Sequence, residues 1–111
     1  MNTDKLQRIM QALDDIQAQE VICLDIAKVS NMADSMIICS SKSHRHARSI
    51  LDAILAIKND IDDSIPVVEG ADYAEWILVD YHDTVIHIML PEERDYYALE
   101  KLWDQHLDDS N

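Results

Sequence analysis

Glycine, cysteine and basic residues are all scarce in this chain of 111 residues, which has one glycine, two cysteines and nine lysines and arginines. Because glycine adopts a positive φ without steric cost, the single one, Gly70, predicts such a conformation or a close backbone approach at that position. Cys23 and Cys39 each lie within an apolar, strand-like run, where a free thiol usually behaves as a small buried hydrophobe. We therefore expect both cysteines to be buried, without a disulfide, since that bond is rare in the cytoplasm.

Long apolar runs are also missing. No stretch approaches the roughly 20 apolar residues that a helix needs to cross a bilayer. The opening residues, Met1 to Lys5, lead into an amphipathic pattern instead of the apolar stretch of a signal peptide. We accordingly expect a soluble, cytoplasmic protein. With 48% apolar residues and no linker or repeat, residues 1–111 should form a single domain with a polar, frayed tail over 104–111.

Negative charge outnumbers positive charge, with 22 Asp and Glu against 9 Lys and Arg and a formal net charge of −13. A field of that sign opposes binding to phosphates over most of the surface, so direct, sequence-specific recognition of nucleic acid is not expected. A basic protein partner would be attracted instead. The alternative is that the acidity serves solubility alone.

The spacing of apolar residues predicts the element order α-β-β-α-β-β-β-α. The predicted elements are a helix with Thr3 as N-cap, strands over 21–26 and 35–39, a helix after the 40–43 turn that ends near residue 60, strands over 66–69, 75–81 and 84–90, and a helix from Pro91. This order indicates an α/β (α+β mixed) fold, in which a five-stranded mixed sheet is covered by about three helices. A right-handed crossover through the second helix would make strand 66–69 parallel to strand 35–39.

Two features of the C-terminal half carry more specific expectations. The hairpin would turn at His82-Asp83, a pair poorly suited to a tight two-residue turn, so strain or a longer turn is expected there. In the last helix one face would pack on the sheet through Tyr96, Leu99, Leu102 and Trp103.

Alternation along the first hairpin strand separates two sets of side chains, Trp76, Leu78 and Asp80 on one face and Ile77, Val79 and Tyr81 on the other. One face therefore combines a tryptophan with an acid. Aromatic anchors bordered by polar groups are typical of interface hot spots. From the residues alone, core and interface are equally good interpretations of Trp76.

Enzyme chemistry finds little support in the sequence. Nucleotidyl transfer needs a phosphate-cradling loop and a carboxylate cluster such as Asp-x-Asp that holds Mg²⁺. The adjacent acid pairs fall instead on an exposed helix stripe, a loop and the tail, at 14–15, 62–63 and 108–109. We expect neither catalysis nor a cofactor.

Metal binding is also not expected. His44 and His46 are two residues apart, which places them on different helical faces, and we expect both to be solvated. His82 and His87 lie near Asp80 and Asp83, which leaves a weak His/Asp site open, although three or four convergent ligands are not evident.

The run from residue 69 to 103 carries a distinctive succession of motifs: Glu69-Gly70, Glu75-Trp76, Asp80-Tyr81, Val85-Ile86-His87, Arg94-x-x-Tyr97 and Leu99-Glu100-x-Leu102-Trp103. This succession closely resembles the ribosomal silencing factor family, also called Iojap-like. Weaker matches at 25–26 and 33–38 extend the resemblance over residues 6–103. The chain departs from the family at Ser40-Ser41-Lys42, where the family usually has a glycine.

The resemblance implies a nucleotidyltransferase-like fold without the catalytic machinery. It also implies binding to a protein of the large ribosomal subunit, the one numbered fourteen, on the face that meets the small subunit. Occupation of that face would block joining of the subunits and lower translation when nutrients are scarce.

The residues expected at this contact are Trp76, Asp80, Tyr81 and His87 on the hairpin, with Tyr97 and Glu100 on the last helix. Trp76 and Tyr81 would act as aromatic anchors, and Asp80 and Glu100 would pair with basic side chains. The alternative function is an acidic adaptor that forms homo-oligomers, possible homodimers included, through a strand edge and acts on a non-ribosomal partner.

Overall fold

The computed structural model describes residues 3–31, 33–61, 65–99 and 101. Its elements are α1 (Thr3–Asp15), β1 (Gln19–Asp25), β2 (Ser35–Ser40), α2 (His44–Ala56), α3 (Lys58–Ile61), β3 (Val67–Glu69), β4 (Trp76–Asp80), β5 (Thr84–Met89) and α4 (Pro91–Tyr97). The predicted mixed α/β class and element order are confirmed. The helix expected to end near residue 60 is divided at Ile57, which caps α2 with its N–H, and α3 follows as a short separate helix.

The five strands form one mixed sheet in the order β1-β2-β5-β4-β3. β2 and β5 are parallel, and the other three neighbouring pairs are antiparallel. β3 does run parallel to β2, as the crossover predicts. The two strands are not neighbours, however, because β5 and β4 lie between them.

Helices α1 and α2 pack on one face of the sheet and close the main core. Ile9 and Leu13 of α1 and Ile50 and Ile54 of α2 are fully buried. They meet the inward set of strand side chains, Ile37, Cys39, Ile77, Val79, Ile86 and Ile88. Strand alternation and the helical period therefore both point their apolar residues into this one layer.

The opposite face of the sheet, called here the outer face, is covered only in part. A smaller cluster lies there, formed by Ile26, Ala33, Met36, Ile38 and Met89. Trp76 and Leu99 pack against it while only partly buried. Among the described residues, the section of the outer face near the start of β4 is only partly covered.

The fold confirms one of the two cysteine predictions and corrects the other. Cys39 is buried as expected, but Cys23 is exposed. Cys23 lies opposite the buried Ile37 in the β1–β2 register. It is exposed because β1 is an edge strand, and the covering helices leave that edge open.

The last helix also differs from its prediction. Pro91 is its first residue, as predicted, but the helix ends at Tyr97, and Ala98 has the left-handed conformation with φ of 48°. Tyr96 is 81% exposed, so the prediction that it packs on the sheet is wrong. Leu99 does pack on the outer face.

Several predicted features lie outside the part that the structure describes. These are the side chain of the predicted N-cap Thr3, residues Glu100, Leu102 and Trp103, and the tail over 104–111. Within the described ranges, no helix has the length and apolar character needed to cross a bilayer.

Candidate partner-binding surface

The β4–β5 hairpin presents the alternation that the sequence predicts. Ile77 and Val79 are fully buried, whereas Trp76, Leu78 and Asp80 on the outer face are each partly exposed. The register pairs Leu78 with His87 and Trp76 with Met89. Trp76 and His87 are therefore diagonal neighbours on the outer face.

A side-chain hydrogen bond joins these two neighbours. The Nε1–H of Trp76 donates to Nδ1 of His87 over 2.9 Å, and the ring centroids are 5.8 Å apart. Because Nδ1 is an acceptor, the ring proton of neutral His87 is on Nε2. Burial lowers the pKa of His87 to about 4, so the imidazole is uncharged near neutral pH.

Helix α4 adds two tyrosines to this surface. The ring of Tyr97 lies 4.7 Å from the Trp76 ring, centroid to centroid, at an angle of 49°. Tyr96 meets Tyr97 edge-on at 5.0 Å. We call Trp76, His87, Tyr96 and Tyr97 the aromatic cluster. Tyr96 was not among the predicted site residues, because the helical pattern assigned it to the packed face.

A shallow hollow of about 260 Å³ adjoins the cluster, and it is lined by Glu69, Gly70, Trp76, Leu78 and His87. Apolar and aromatic side chains line most of it, while the exposed carboxylate of Glu69 stands at its border. This combination is suited to an apolar side chain flanked by a cation.

Gly70 fixes the backbone beside the hollow. Its φ is +83°, and a Cβ at this position would clash with the backbone carbonyl oxygen of Trp76. Both predictions for the single glycine are therefore confirmed, the positive φ and the close backbone approach. The loop continues through Ala74, whose N–H donates to the Gly70 oxygen over 3.0 Å.

The hairpin turn is held by charged groups. Asp80 Oδ1 accepts a 2.7 Å hydrogen bond from the backbone N–H of His82, which has a φ of 73°. The positive φ matches the strain expected for this turn. Lys5 of α1 is buried and donates to Asp83 Oδ1 over 2.7 Å and to the Tyr81 carbonyl over 3.0 Å. The sequence does not single out Lys5, because a lysine on an amphipathic helix is expected to face solvent. Only the tertiary structure shows that the hairpin turn packs against it.

Tyr81 does not belong to the surface. Its side chain is fully buried on the core face, and its hydroxyl donates to the Ile54 carbonyl of α2 over 3.1 Å. The expectation that Tyr81 anchors a partner is therefore wrong. The same alternation that exposes Trp76 turns Tyr81 inward.

Arg94 was named only as part of a family motif, and the structure gives it a physical role. Its guanidinium is buried, and Nη1 donates to the Glu20 carbonyl over 2.7 Å and to Ser40 Oγ over 2.9 Å. These bonds tie α4 to the first two strands. Arg94 thereby positions Tyr97 beside Trp76.

His44 is exposed as expected and His46 is partly buried, and both rings also form hydrogen bonds within the fold. The Nδ1–H of His44 donates to the Tyr73 carbonyl over 2.8 Å, and the Nε2–H of His46 donates to the Ile16 carbonyl over 2.9 Å. The Nδ1 of His46 also accepts from the Lys42 N–H. Both rings thus hold neighbouring loops in place.

Chemically reactive groups are not assembled on this surface. Over the described ranges, no three His, Cys, Asp or Glu side chains form a metal-binding group. Burial raises the pKa of the Cys39 thiol to about 12. Burial and the nearby Asp25 carboxylate also raise the pKa of Cys23. These shifts disfavour the thiolate forms that nucleophilic chemistry needs.

Comparison with known proteins relates nearly the whole chain to one group. The family described as "Ribosomal silencing factor during starvation" matches residues 2–111. A protein named "Ribosomal silencing factor RsfS" from Bacillus subtilis is 36% identical over 104 residues, which cover 93% of this chain and 88% of that protein. A mouse protein named "Mitochondrial assembly of ribosomal large subunit protein 1" is 29% identical over 101 residues, 88% of this chain and 44% of that protein. A crystal structure of a protein from Chromobacterium violaceum superimposes with a TM-score of 0.88 at 32% identity, covering 94% of this chain and 88% of that one.

Proposed function

This chain belongs to the ribosomal silencing factor family, and on that basis we propose that it binds the large ribosomal subunit and blocks its joining to the small subunit. The direct partner is a basic protein of the large subunit, the one numbered fourteen. Binding in the cytoplasm under nutrient limitation lowers translation. The names of the relatives support the ribosomal part of this proposal.

The aromatic cluster is the observation that carries the proposal. Trp76 is partly exposed on the outer face and is held between His87 and Tyr97. Large aromatic side chains that are already oriented lose little conformational entropy on binding, and they are enriched among interface hot spots. The hollow beside Trp76 offers a place for an apolar side chain of the partner.

Charge favours a basic partner at this surface. Glu69 at the hollow and Asp80 at the far end of β4 border the outer face of the hairpin, and the chain as a whole carries a formal charge of −13. Complementary fields speed the encounter with a basic protein and disfavour acidic ones. The Asp80 carboxylate already accepts the His82 N–H, so its orientation is set before a partner arrives.

The mechanism is steric and involves no covalent chemistry. The molecule measures 39 × 33 × 21 Å along its principal axes. Even the shortest of these dimensions is several times the reach of a hydrogen bond, which is about 3 Å. A body of this size on the joining face would keep the direct contacts between the two subunits from forming.

The alternative, an acidic adaptor that self-associates, is favoured by one observation. β1 is an edge strand of seven residues, Gln19–Asp25, and within the described residues its one neighbouring strand is β2. Its other side can accept a strand from a second copy.

Sedimentation with purified ribosomal subunits tests the proposal. The protein should migrate with large subunits, not with small ones, and should reduce the yield of joined particles. Trp76→Ala should lose both effects, while Ile65→Ala, which removes an exposed apolar side chain near the hairpin-turn end of the sheet, should retain them. Absence of co-migration at moderate salt would sink the proposal and favour the self-associating adaptor.

A further inference from the structure

Basic residues are concentrated at the start of α2. Lys42, Arg45 and Arg48 lie within seven residues, and the sequence has no Asp or Glu from Ser35 to Leu51. All three cations are exposed. In a chain with 22 acidic residues, this stretch is a local concentration of positive charge.

The three charges are not neutralised within the fold. In the described part of the chain, none of them forms an ion pair with a carboxylate. Arg48 donates to the backbone carbonyls of Ala71 and Asp72 over 3.4 and 2.6 Å, and Lys42 Nζ lies 3.5 Å from Gln17 Oε1. Within the described residues, the carboxylates of the loop after β3, including that of Asp72, form no ion pair with these cations. Their positive charge remains available to an external anion.

An exposed aromatic residue is held beside these cations. Tyr73 is 79% exposed, and its carbonyl accepts the Nδ1–H of His44 over 2.8 Å. Arg48 fixes the two residues that precede Tyr73. Cations next to an accessible aromatic ring form the combination with which proteins bind RNA, since phosphates pair with the cations and a base stacks on the ring. We call Lys42, Arg45, Arg48 and Tyr73 the basic patch.

The basic patch lies at the same end of the sheet as the aromatic cluster. Met89 pairs in register with both Ser40, which precedes the patch, and Trp76. The loop from Gly70 to Glu75 connects the two surfaces, because Arg48 and His44 hold its middle and Gly70 packs on the Trp76 backbone. α2 covers the face opposite Trp76, so a partner that extends from Trp76 around this end of the sheet reaches the patch.

We propose that the basic patch contacts the RNA sugar-phosphate backbone of the large subunit, beside the protein on which the aromatic cluster docks. This inference rests on the proposed function and adds a second partner to it. The formal charge of −13 opposes RNA elsewhere on the surface, so the contact forms only where protein docking has already placed the patch. The contact is not specific for RNA sequence, because the phosphate groups are the same at every nucleotide.

The test compares two double variants with the same change in charge. Lys42→Gln with Arg45→Gln alters the patch, and Lys28→Gln with Lys58→Gln alters two lysines outside it. Arg48 is left intact because it supports the loop. Affinity for large subunits is measured by titration of fluorescently labelled protein at several salt concentrations, and affinity for the isolated basic ribosomal protein is measured in parallel.

The patch variant should bind large subunits about 10-fold more weakly at low salt, and the slope of log Kd against log salt should fall by about 1.5, since each lost phosphate contact contributes about 0.7–0.9. Its affinity for the isolated basic protein should stay equal or increase, because the variant is more acidic. The control variant should match the wild type on large subunits. Ultraviolet cross-linking should then join the 42–48 segment or Tyr73 to RNA.

The outcomes separate this inference from the proposed function. Wild-type protein that fails to bind large subunits would overturn both. Wild-type binding with an unchanged affinity and salt slope in the patch variant would overturn the RNA contact alone. Cross-links from the patch to ribosomal protein only would do the same and would identify a protein, not RNA, as the partner of the patch.

Discussion

The indole N–H of Trp76 donates to Nδ1 of His87 across the β4–β5 hairpin, over 2.9 Å. This bond sets the direction of the indole plane, and Tyr97 contacts the ring from α4. The side chain that we propose as the main anchor is therefore oriented before binding. An anchor in this state gives up less conformational entropy when a partner covers it.

Trp76→Ala should weaken binding to large subunits by about 2 kcal/mol or more, roughly 30-fold, because it removes the centre of the aromatic cluster. Trp76→Phe should have an intermediate effect, since it keeps an aromatic ring but loses the donor to His87. Titration with labelled protein measures both. Circular dichroism should show that both variants are folded, and unfolding of Trp76→Ala would instead identify Trp76 as a core residue.

Stability should depend on pH through His87. Burial lowers its pKa from 6.5 to about 4, so between these values the unfolded chain binds a proton that the folded chain does not. The contribution of His87 is complete above about pH 6.5 and is lost as the pH falls toward 4, at most ~3 kcal/mol. Protonation at Nδ1 would also break the bond from Trp76.

His87→Gln is the matched control for this dependence, because an amide oxygen can accept from Trp76 but does not titrate. Urea unfolding between pH 7 and 4.5 should show a steeper loss of stability in the wild type than in the variant. The carboxylates titrate in both proteins, so their contribution cancels in the difference. Parallel curves would contradict the assignment to His87.

Tyr81→Phe should lower the free energy of unfolding by about 1 kcal/mol, since it removes the hydroxyl that donates to the Ile54 carbonyl. Binding to large subunits should be unchanged, because this side chain is buried on the core face. Urea unfolding and titration measure the two quantities separately. If the Tyr81→Phe protein had normal stability but lost its binding to large subunits, Tyr81 would belong to the partner-binding surface.

Gly70→Ala should destabilise the fold by about 2–4 kcal/mol, because the residue has a positive φ and the added methyl would clash with the Trp76 carbonyl oxygen. It should also weaken binding, since relief of the clash displaces the start of β4. Asp72→Ala, an exposed change in the same loop, is the control for stability. A Gly70→Ala protein as stable as that control would show that the loop relaxes freely.

Local sequence patterns determine the secondary-structure elements and which side chains of β4 point to the core. Alternation alone places Ile77 and Val79 inward and Trp76 outward, because successive strand side chains must point to opposite faces. Gly70 and Pro91 were read correctly for the same kind of reason, as each reports the backbone conformation at its own position. The prediction that Tyr81 is an anchor follows from its residue type, but its place in the alternation turns the side chain inward.

The tertiary structure decided what depends on distant parts of the chain. β2 pairs with β5 instead of β3, which brings Ser40 and Trp76 to one end of the sheet. Lys5 and Arg94 are buried because carbonyls and polar side chains far away in sequence compensate their charges. Sequence periodicity determined which face each strand buries, but strand order and helix coverage arise from long-range packing, and these decided which residues stay open to a partner.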